Sequence, residues 1–140
     1  MATDYVLRLI DQIALMLAEI LQLRRLGRAR EAHDQIATAC LQSVGLPLAL
    51  VKHSAPETIL EMLATGGGTQ HVRAVMLAEL LLQDAEIEEQ AGKKREALIS
   101  RAQARTLIAH NLGQLSPEEQ ASYRAKLNSL AQSDVSSKDR

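Results

Sequence analysis

The side chains best suited to metal binding or proton transfer in this sequence are its four histidines, His33, His53, His71 and His110. No two of them stand three or four residues apart, which is the spacing that brings side chains together on one face of a helix. The metalloprotease motif His-Glu-x-x-His does not occur. The sequence therefore predicts no metal site and no cofactor, and we expect solvent-facing or hydrogen-bonded histidines.

Sites built from carboxylates on facing helices are not indicated either. Such di-iron sites use Glu-x-x-His, and this motif does not occur. Glu31 lies two residues before His33, and the adjacent His33 and Asp34 would point about 100° apart on a helix. Because no motif places an acid and a base together, we expect the chain not to be an enzyme and assign no catalytic residue.

Cys40 and the glycines at 66–68 each have a functional and a structural interpretation. Cys40 stands in an apolar stretch of a predicted helix, which favours a buried small hydrophobe over a nucleophile. The run Gly66-Gly67-Gly68-Thr69 before a helix resembles half of an anion-binding site, since free N–H groups and the helix dipole attract negative charge. A phosphate-binding loop would continue with Lys and Ser or Thr, whereas Gln70 and His71 follow here. We expect a flexible connector, with anion binding as the alternative.

Charged residues are concentrated around two glycines, Gly27 and Gly92. The basic members of these blocks are Arg24, Arg25, Arg28, Arg30, Lys93, Lys94, Arg101 and Arg105. They favour a solvated surface on which the acidic block at 84–89 neutralises the basic residues that follow it. The alternative is a basic edge that binds an acidic protein partner or phosphates.

The same two glycines begin a repeated motif. Residues 27–32 read Gly-Arg-Ala-Arg-Glu-Ala, and residues 92–97 read Gly-Lys-Lys-Arg-Glu-Ala. Each copy follows a long apolar helical stretch, and a glycine between two helix-forming segments ends one helix and permits a tight turn. The motif therefore predicts a helix–turn–helix hairpin that is used twice. Glu31 and Glu96 would offset the basic residues at the start of each second helix.

The turn glycine and the alanine five residues later, Gly27 with Ala32 and Gly92 with Ala97, resemble the tetratricopeptide repeat. The resemblance covers roughly residues 13–44 and 76–112 and implies paired antiparallel helices. The copies are 65 residues apart, compared with about 34 in that repeat, and the repeat's aromatic residues are absent. This favours a compact bundle over a groove-forming array. Residues 4–10, Asp-Tyr-Val-Leu-Arg-Leu-Ile, are similar to the start of small bacterial all-helical proteins of unknown function, which implies a fold but no activity.

The composition is that of an ordinary globular chain, with a formal net charge of −1 over 140 residues. This charge argues against bulk attraction to nucleic acid or to an anionic membrane, and only Tyr5 and Tyr123 could stack on bases. No apolar run reaches the ~18 residues of a membrane span, and no signal peptide is recognisable. The single cysteine cannot form an intramolecular disulfide. We expect a cytoplasmic protein with an aliphatic core.

Helical periodicity covers most of the chain, and no segment alternates like a strand. The main predicted helices cover residues 4–26, 28–44, 69–91, 93–112 and 116–131. A short helix follows the capping-box spacing of Ser54-Ala55-Pro56-Glu57, and Ser116-Pro117-Glu118-Glu119 gives the strongest signal for a helix start. Other predicted caps are Thr3 or Asp4, Gly45, Thr69 and Gly113. The polar residues 133–140 are expected to be disordered.

Together these patterns predict one all-α domain over residues 1–132, with tetratricopeptide-like hairpins packed as a compact bundle of five main helices and one short helix. The predicted function is a non-enzymatic interaction or scaffold module that self-associates, as a homodimer, through the wide apolar faces of its first and fourth helices. The alternative is a small-molecule sensor that binds an apolar ligand in a pocket between helices. We expect neither nucleic acid nor membrane as a partner.

Overall fold

The computed structural model describes residues 2–65, 67–125 and 128. Its first six α-helices are α1 Ala2–Arg25, α2 Ala29–Ala39, α3 Leu48–Lys52, α4 Pro56–Ala64, α5 Gln70–Gln90 and α6 Lys94–Asn111. Residues 117–125 form a further helix, α7. No strand occurs among the described residues, which confirms the predicted all-α fold class.

Helix α5 lies at the centre of the bundle. Side chains around most of its circumference are buried, and Leu77, Leu80 and Leu81 are completely inaccessible. Helices α1, α2, α4 and α6 pack against it, with α1–α2 as one hairpin and α5–α6 as the other. The apolar side chains of this helix are therefore buried or partly buried within the same chain. Self-association through this helix, the fourth in the predicted order, stays a prediction.

Helix α1 has one buried side and one exposed side. The helical period of the sequence predicts an apolar stripe on this helix, and none of its members is more than 6% exposed: Val6, Ile10, Ile13, Leu17, Ile20 and Leu21. On the outer side, Tyr5 and Leu15 are exposed among polar residues such as Arg8 and Gln12. The exposed apolar surface of α1 is thus narrower than the sequence suggests.

The second predicted helix changes its winding before it ends. Regular α2 stops at Ala39, and Cys40–Val44 form a π-helical turn that closes with the Gly45 N–H donating to the Cys40 carbonyl at 2.9 Å. Gly45 has a φ of 90°, which confirms its predicted role as a left-handed cap. A π turn is wider than an α turn and shifts the side chains that follow it. The helical period of the sequence predicts that Leu41 is buried, whereas in the structure it is 57% exposed.

Arg73 of α5 binds the ends of two other helical segments. Its Nη1 donates to the Val44 carbonyl at 2.7 Å, and its Nη2 donates to the Leu63 carbonyl at 3.0 Å. Both carbonyls belong to last turns, where backbone oxygens lack partners within their own helix. One guanidinium thus holds the connection between the hairpins against the central helix.

The predicted capping box at Ser116 is confirmed, and the one at Ser54 is wrong. The Ser116 N–H donates to Glu119 Oε1 at 2.8 Å, and the Glu119 N–H donates to Ser116 Oγ at 3.2 Å. The Ser54 hydroxyl instead donates back to the Leu50 carbonyl at 2.6 Å, and Ala55 is the N-cap of α4. The sequence does not predict α3, whose free last carbonyls compete for this hydroxyl.

Three other predicted caps also differ from the structure. Helix α1 begins at Ala2, so Thr3 and Asp4 lie within its first turn. Thr69 stands at the N-cap of α5 but makes no capping side-chain hydrogen bond. Gly113 lies inside a 3₁₀ turn without a positive φ, because the chain continues to coil beyond it.

The C-terminal helix α7 packs against α5 through Tyr123. This tyrosine is 4% exposed, and its hydroxyl donates to Glu79 Oε1 at 2.8 Å. Burial raises the pKa of the Glu79 carboxyl above its ordinary value, although the hydrogen bond from Tyr123 opposes this shift. Helix α3 adds a second short helix to the predicted set. The predicted helix end at Ala131 and the tail at 133–140 lie outside the described residues.

Candidate binding site at the hairpin turns

The first hairpin turn is a Schellman motif centred on Gly27. The glycine has a φ of 75°, and its N–H donates to the Arg24 carbonyl at 3.0 Å. The Arg28 N–H donates to the Leu23 carbonyl at 2.9 Å. The left-handed position favours glycine because any Cβ there is strained.

The second turn repeats this geometry around Gly92. Here φ is 82°, the Gly92 N–H donates to the Glu89 carbonyl at 3.0 Å, and the Lys93 N–H donates to the Glu88 carbonyl at 2.8 Å. The alanines that close the two motifs, Ala32 and Ala97, are both completely buried. The repeated sequence thus specifies one turn twice, as predicted.

The two turns lie at the same end of the bundle and border a cavity of about 210 Å³. Both hairpins and the end of α3 contribute its lining residues, which are Ala29, Arg30, His33, Lys52, Asp84, Ile87, Glu88, Ala91 and Lys93. Six of these nine carry an ionisable side chain. Charged side chains from both hairpins therefore meet at this cavity.

Two carboxylates at the base of this cavity share one lysine. Asp84 and Glu88 are one helical turn apart on α5 and are 0% and 7% exposed. Lys52 donates to Asp84 Oδ2 at 2.5 Å and to Glu88 Oε2 at 2.8 Å. Like charges at this spacing repel, and a buried charge without a partner is costly. The lysine therefore makes the burial of the pair possible.

Two further side chains donate hydrogen bonds to this pair of carboxylates. His33 Nδ1 donates to Asp84 Oδ1 at 2.7 Å, and Ser100 Oγ donates to Glu88 Oε1 at 3.0 Å, so each carboxylate oxygen has a donor. Burial lowers the pKa of the Lys52 ammonium, but hydrogen bonds to Asp84 and Glu88 and their charges outweigh burial and raise it above its ordinary value. Lys52 is thus charged at neutral pH.

Two residues of the predicted basic edge are neutralised by acidic residues of α5. Arg24 donates to Gln83 Oε1 at 2.7 Å and lies 3.8 Å from Glu86. Arg101 binds the other oxygen of Glu86 at 3.3 Å and Glu89 at 3.0 Å. The hydrogen bond from Arg101 lowers the pKa of Glu89 below its ordinary value. On this side of the turns, the acidic block neutralises basic residues of both hairpins.

The remaining basic residues separate into those at the cavity and those away from it. Arg28 is 3.9 Å from Glu31, one turn along α2. Arg30 and Lys93 line the cavity from opposite hairpins, and neither forms an ion pair within the described part of the chain.

The structure does not bring all eight predicted residues together. Arg105 is exposed on α6, eleven residues after Lys94, which corresponds to about 17 Å along the helix. Arg25 is exposed at the end of α1, and Lys94 helps to lower the pKa of Glu89. The predicted edge is therefore interrupted, with Arg30 and Lys93 as its members at the cavity.

Sequence reasoning missed the ion cluster. The prediction of a solvated acidic block is wrong for Asp84 and Glu88, which continue the buried stripe of Leu77 and Leu81 along α5. Because both residues are in register with an apolar stripe, the sequence pattern could have indicated that they are buried. Lys52 gave no such signal, because it ends a short helix that the sequence does not predict.

Cys40 is a buried small residue, as expected. It is completely inaccessible, and burial raises the pKa of its thiol to about 12. The thiol therefore stays protonated at neutral pH, and the reactive thiolate does not form.

A second cavity of about 200 Å³ lies beside the start of α5. His71, in its lining, has both ring nitrogens engaged: Nδ1 lies 2.9 Å from Asn111 Oδ1, and Nε2 lies 3.3 Å from the Gln70 amide. This confirms the expectation of a hydrogen-bonded histidine at this position. Residues 67–69 form a 3₁₀ turn, whereas Gly66 is outside the described residues, and the anion site at this loop stays a prediction.

Within the described ranges, no group of three or more His, Cys, Asp or Glu side chains is placed to hold a metal ion. In the same part of the chain, no helix has the length and apolar character needed to cross a membrane. Comparison with known proteins gives no relative, since no family model, curated protein or solved structure matches the chain. The resemblance to tetratricopeptide repeats therefore stays a prediction, and the site's own geometry carries its interpretation.

Proposed function

We propose that the chain is a non-enzymatic interaction module that docks an acidic segment of another protein where its two hairpin turns meet. One observation carries this proposal: Arg30 and Lys93 line one cavity from different hairpins, and neither has an ionic partner in the described structure. Positive charges without internal partners attract and orient a negatively charged partner.

The rigidity of the two turns supports this proposal. Arg30 lies in the first turn of α2, and Lys93 is the N-cap of α6, so each stands within three residues of the glycine of a hydrogen-bonded Schellman turn. Their backbones are therefore fixed relative to the bundle before a partner binds. A preorganised site loses less conformational entropy on binding than a mobile one.

A pair of synthetic peptides tests this function. One short peptide carries several glutamates, and the other has glutamine in their place. By isothermal titration calorimetry, we expect the glutamate peptide to bind and to weaken with added salt, because exposed charges are screened. Equal binding of the two peptides would overturn the proposal.

Charge-removing variants test where the peptide binds. We expect Arg30→Gln and Lys93→Gln each to weaken the glutamate peptide by roughly two- to fivefold, the effect of one exposed ion pair. Arg105→Gln removes an exposed charge at a residue that does not line the cavity and serves as the matched control. The site would be misplaced if Arg105→Gln weakened binding as much as the other two variants.

The other predicted functions have less support from the geometry. Self-association was predicted through apolar faces of the first and fourth helices, but the chain itself covers α5. Exposed large apolar residues are dispersed over several elements, with Leu98 and Ile99 as neighbours on α6. Light scattering over a range of concentrations measures the oligomeric state, and a monomer throughout would end the homodimer prediction. Native mass spectrometry would likewise reveal a retained apolar ligand.

A further inference from the structure

The cavity at the hairpin turns has room for one small group. Its volume of about 210 Å³ is below the roughly 300–1,000 Å³ of clefts that hold drug-sized ligands. A water molecule occupies about 30 Å³ in the liquid, so a carboxylate or a phosphate fits together with a few waters.

A group that enters the cavity meets nitrogen donors before it meets the carboxylates. The side chain of Lys52 is 21% exposed and that of His33 is 45% exposed, whereas those of Asp84 and Glu88 are 0% and 8% exposed. The two carboxylates lie behind the donors and hold them in place. Lys52 uses two of its three N–H groups on Asp84 and Glu88, which leaves one for a ligand.

The charges of the lining favour a ligand with a single negative charge. Three lining side chains are positive, namely Arg30, Lys52 and Lys93, and two are negative, namely Asp84 and Glu88. A carboxylate balances the one excess positive charge, whereas a phosphate group carries about −1.5 to −2 charges near neutral pH.

We propose that this cavity receives one carboxylate group of the docked acidic segment, with Arg30, Lys52 and Lys93 as its cationic partners. The inference rests on the docking function proposed above and adds the place where one carboxylate of the partner binds. Asp84 is a positioning residue, because it is fully buried and acts by holding Lys52 and His33.

Filling the cavity without changing its charge tests this proposal. Ala29 is an exposed lining residue, so Ala29→Leu places a side chain where the carboxylate would bind. Ala102→Leu adds the same side chain at an exposed position of α6 that does not line the cavity. We expect Ala29→Leu to weaken the glutamate peptide by roughly fivefold or more, the factor that about 1 kcal/mol produces. Ala102→Leu should bind as the wild type does.

The outcomes separate the cavity from the docking function. If Ala29→Leu binds the glutamate peptide as the wild type does, the peptide crosses the mouth without entering, and only the cavity proposal is overturned. If the wild-type chain does not bind the peptide, the docking function fails as well. Circular dichroism checks that each variant is folded, and Ala91→Leu repeats the test from the second hairpin.

Titrations with acetate and with inorganic phosphate test whether the cavity prefers a carboxylate or a phosphate group. Titrations followed by nuclear magnetic resonance at the Gly92 and Lys93 amides give both affinities, measured on the wild type and on Ala29→Leu. We expect acetate to shift these signals in the wild type and to lose the effect in Ala29→Leu. Tighter binding of phosphate than of acetate would overturn the assignment of a carboxylate.

Discussion

The two hairpins share a turn but differ in the residues that precede it. Four residues before the turn glycine, the first hairpin has Leu23 and the second has Glu88; eight residues before it, they have Glu19 and Asp84. Glu19 is on the surface and accepts a hydrogen bond from Gln35 at 3.0 Å. Asp84, at the corresponding position, is fully buried in the ion cluster.

This difference shows that the turn and the site depend on different parts of the sequence. The turn needs only glycine at the left-handed position and helix-forming residues on both sides. Whether an acidic residue before the turn is buried depends on what packs against its helix. Helix α1 leaves its outer face to solvent, whereas α5 is surrounded, so an acid at the same position is solvated in one hairpin and buried in the other.

Of the variants that test this comparison, Lys52→Met should lower the free energy of unfolding the most. The variant leaves Asp84 and Glu88 buried without a cation, so we expect the free energy of unfolding to fall by about 3–5 kcal/mol. Urea denaturation measures this loss. Lys94→Met, at an exposed position, is the control and should change stability by less than about 0.5 kcal/mol. A loss as small as that of the control would contradict the importance of the cluster.

High pH deprotonates Lys52 reversibly and should lower the free energy of unfolding by less than the substitution does. The pKa of Lys52 is raised in the folded state above its ordinary value of 10.5, so the folded chain binds this proton more tightly than the unfolded chain. The resulting stabilisation is complete below pH 10.5 and is lost as the pH rises through the folded-state pKa. The stability difference between wild type and Lys52→Met should therefore narrow at strongly alkaline pH. A stability difference that stays the same at alkaline pH would contradict the raised pKa of Lys52.

Ser100→Ala and Gln35→Ala remove donors at corresponding positions, eight residues after each turn glycine. Ser100 is 1% exposed and donates to Glu88, so its loss leaves a buried carboxylate oxygen without a donor and costs about 1–3 kcal/mol. The surface bond of Gln35 should contribute about 0.5 kcal/mol or less. Chemical denaturation measures the free energy of unfolding of both variants. Equal losses would contradict the expectation that the buried bond of Ser100 contributes more than the surface bond of Gln35.

Substitutions of Gly27 and of Gly92 should have similar effects on stability, because the two turns have the same geometry. An added Cβ at Gly27 or Gly92 meets no atom within 4 Å, so only the positive φ opposes substitution. We expect Gly27→Ala and Gly92→Ala each to lower the free energy of unfolding by about 1–2 kcal/mol. Gly113→Ala is the control without a positive φ, and it should not destabilise the chain. Losses that differ strongly between the two turns would contradict their equivalence.

The sequence predicts those features that depend on local spacing. The stripe of α1, the two Schellman turns and the Ser116 capping box each follow from residues within a few positions of one another. Such features need no information about distant parts of the chain, because helical period, turn stereochemistry and cap hydrogen bonds are local.

Features that depend on competition or on distant partners are not predictable in this way. The Ser54 hydroxyl donates to the Leu50 carbonyl instead of accepting from a backbone N–H at the start of α4, because α3 forms. Leu41 is exposed within a π turn that no local pattern in the sequence indicates. The candidate site needs Lys52 to meet Asp84, 32 residues later, and no local pattern indicates that contact.

Arg73 has a consequence for how the chain unfolds. Units of a helical-repeat array gain stability from their neighbours one at a time, so partial unfolding can proceed unit by unit. The Arg73 guanidinium, by contrast, finds its two acceptors only when the end of the first hairpin and the end of α4 are both in place. We therefore expect amide hydrogens of α4 and α5 to exchange with solvent as one cooperative unit, and neither hairpin to be separable as an independent module.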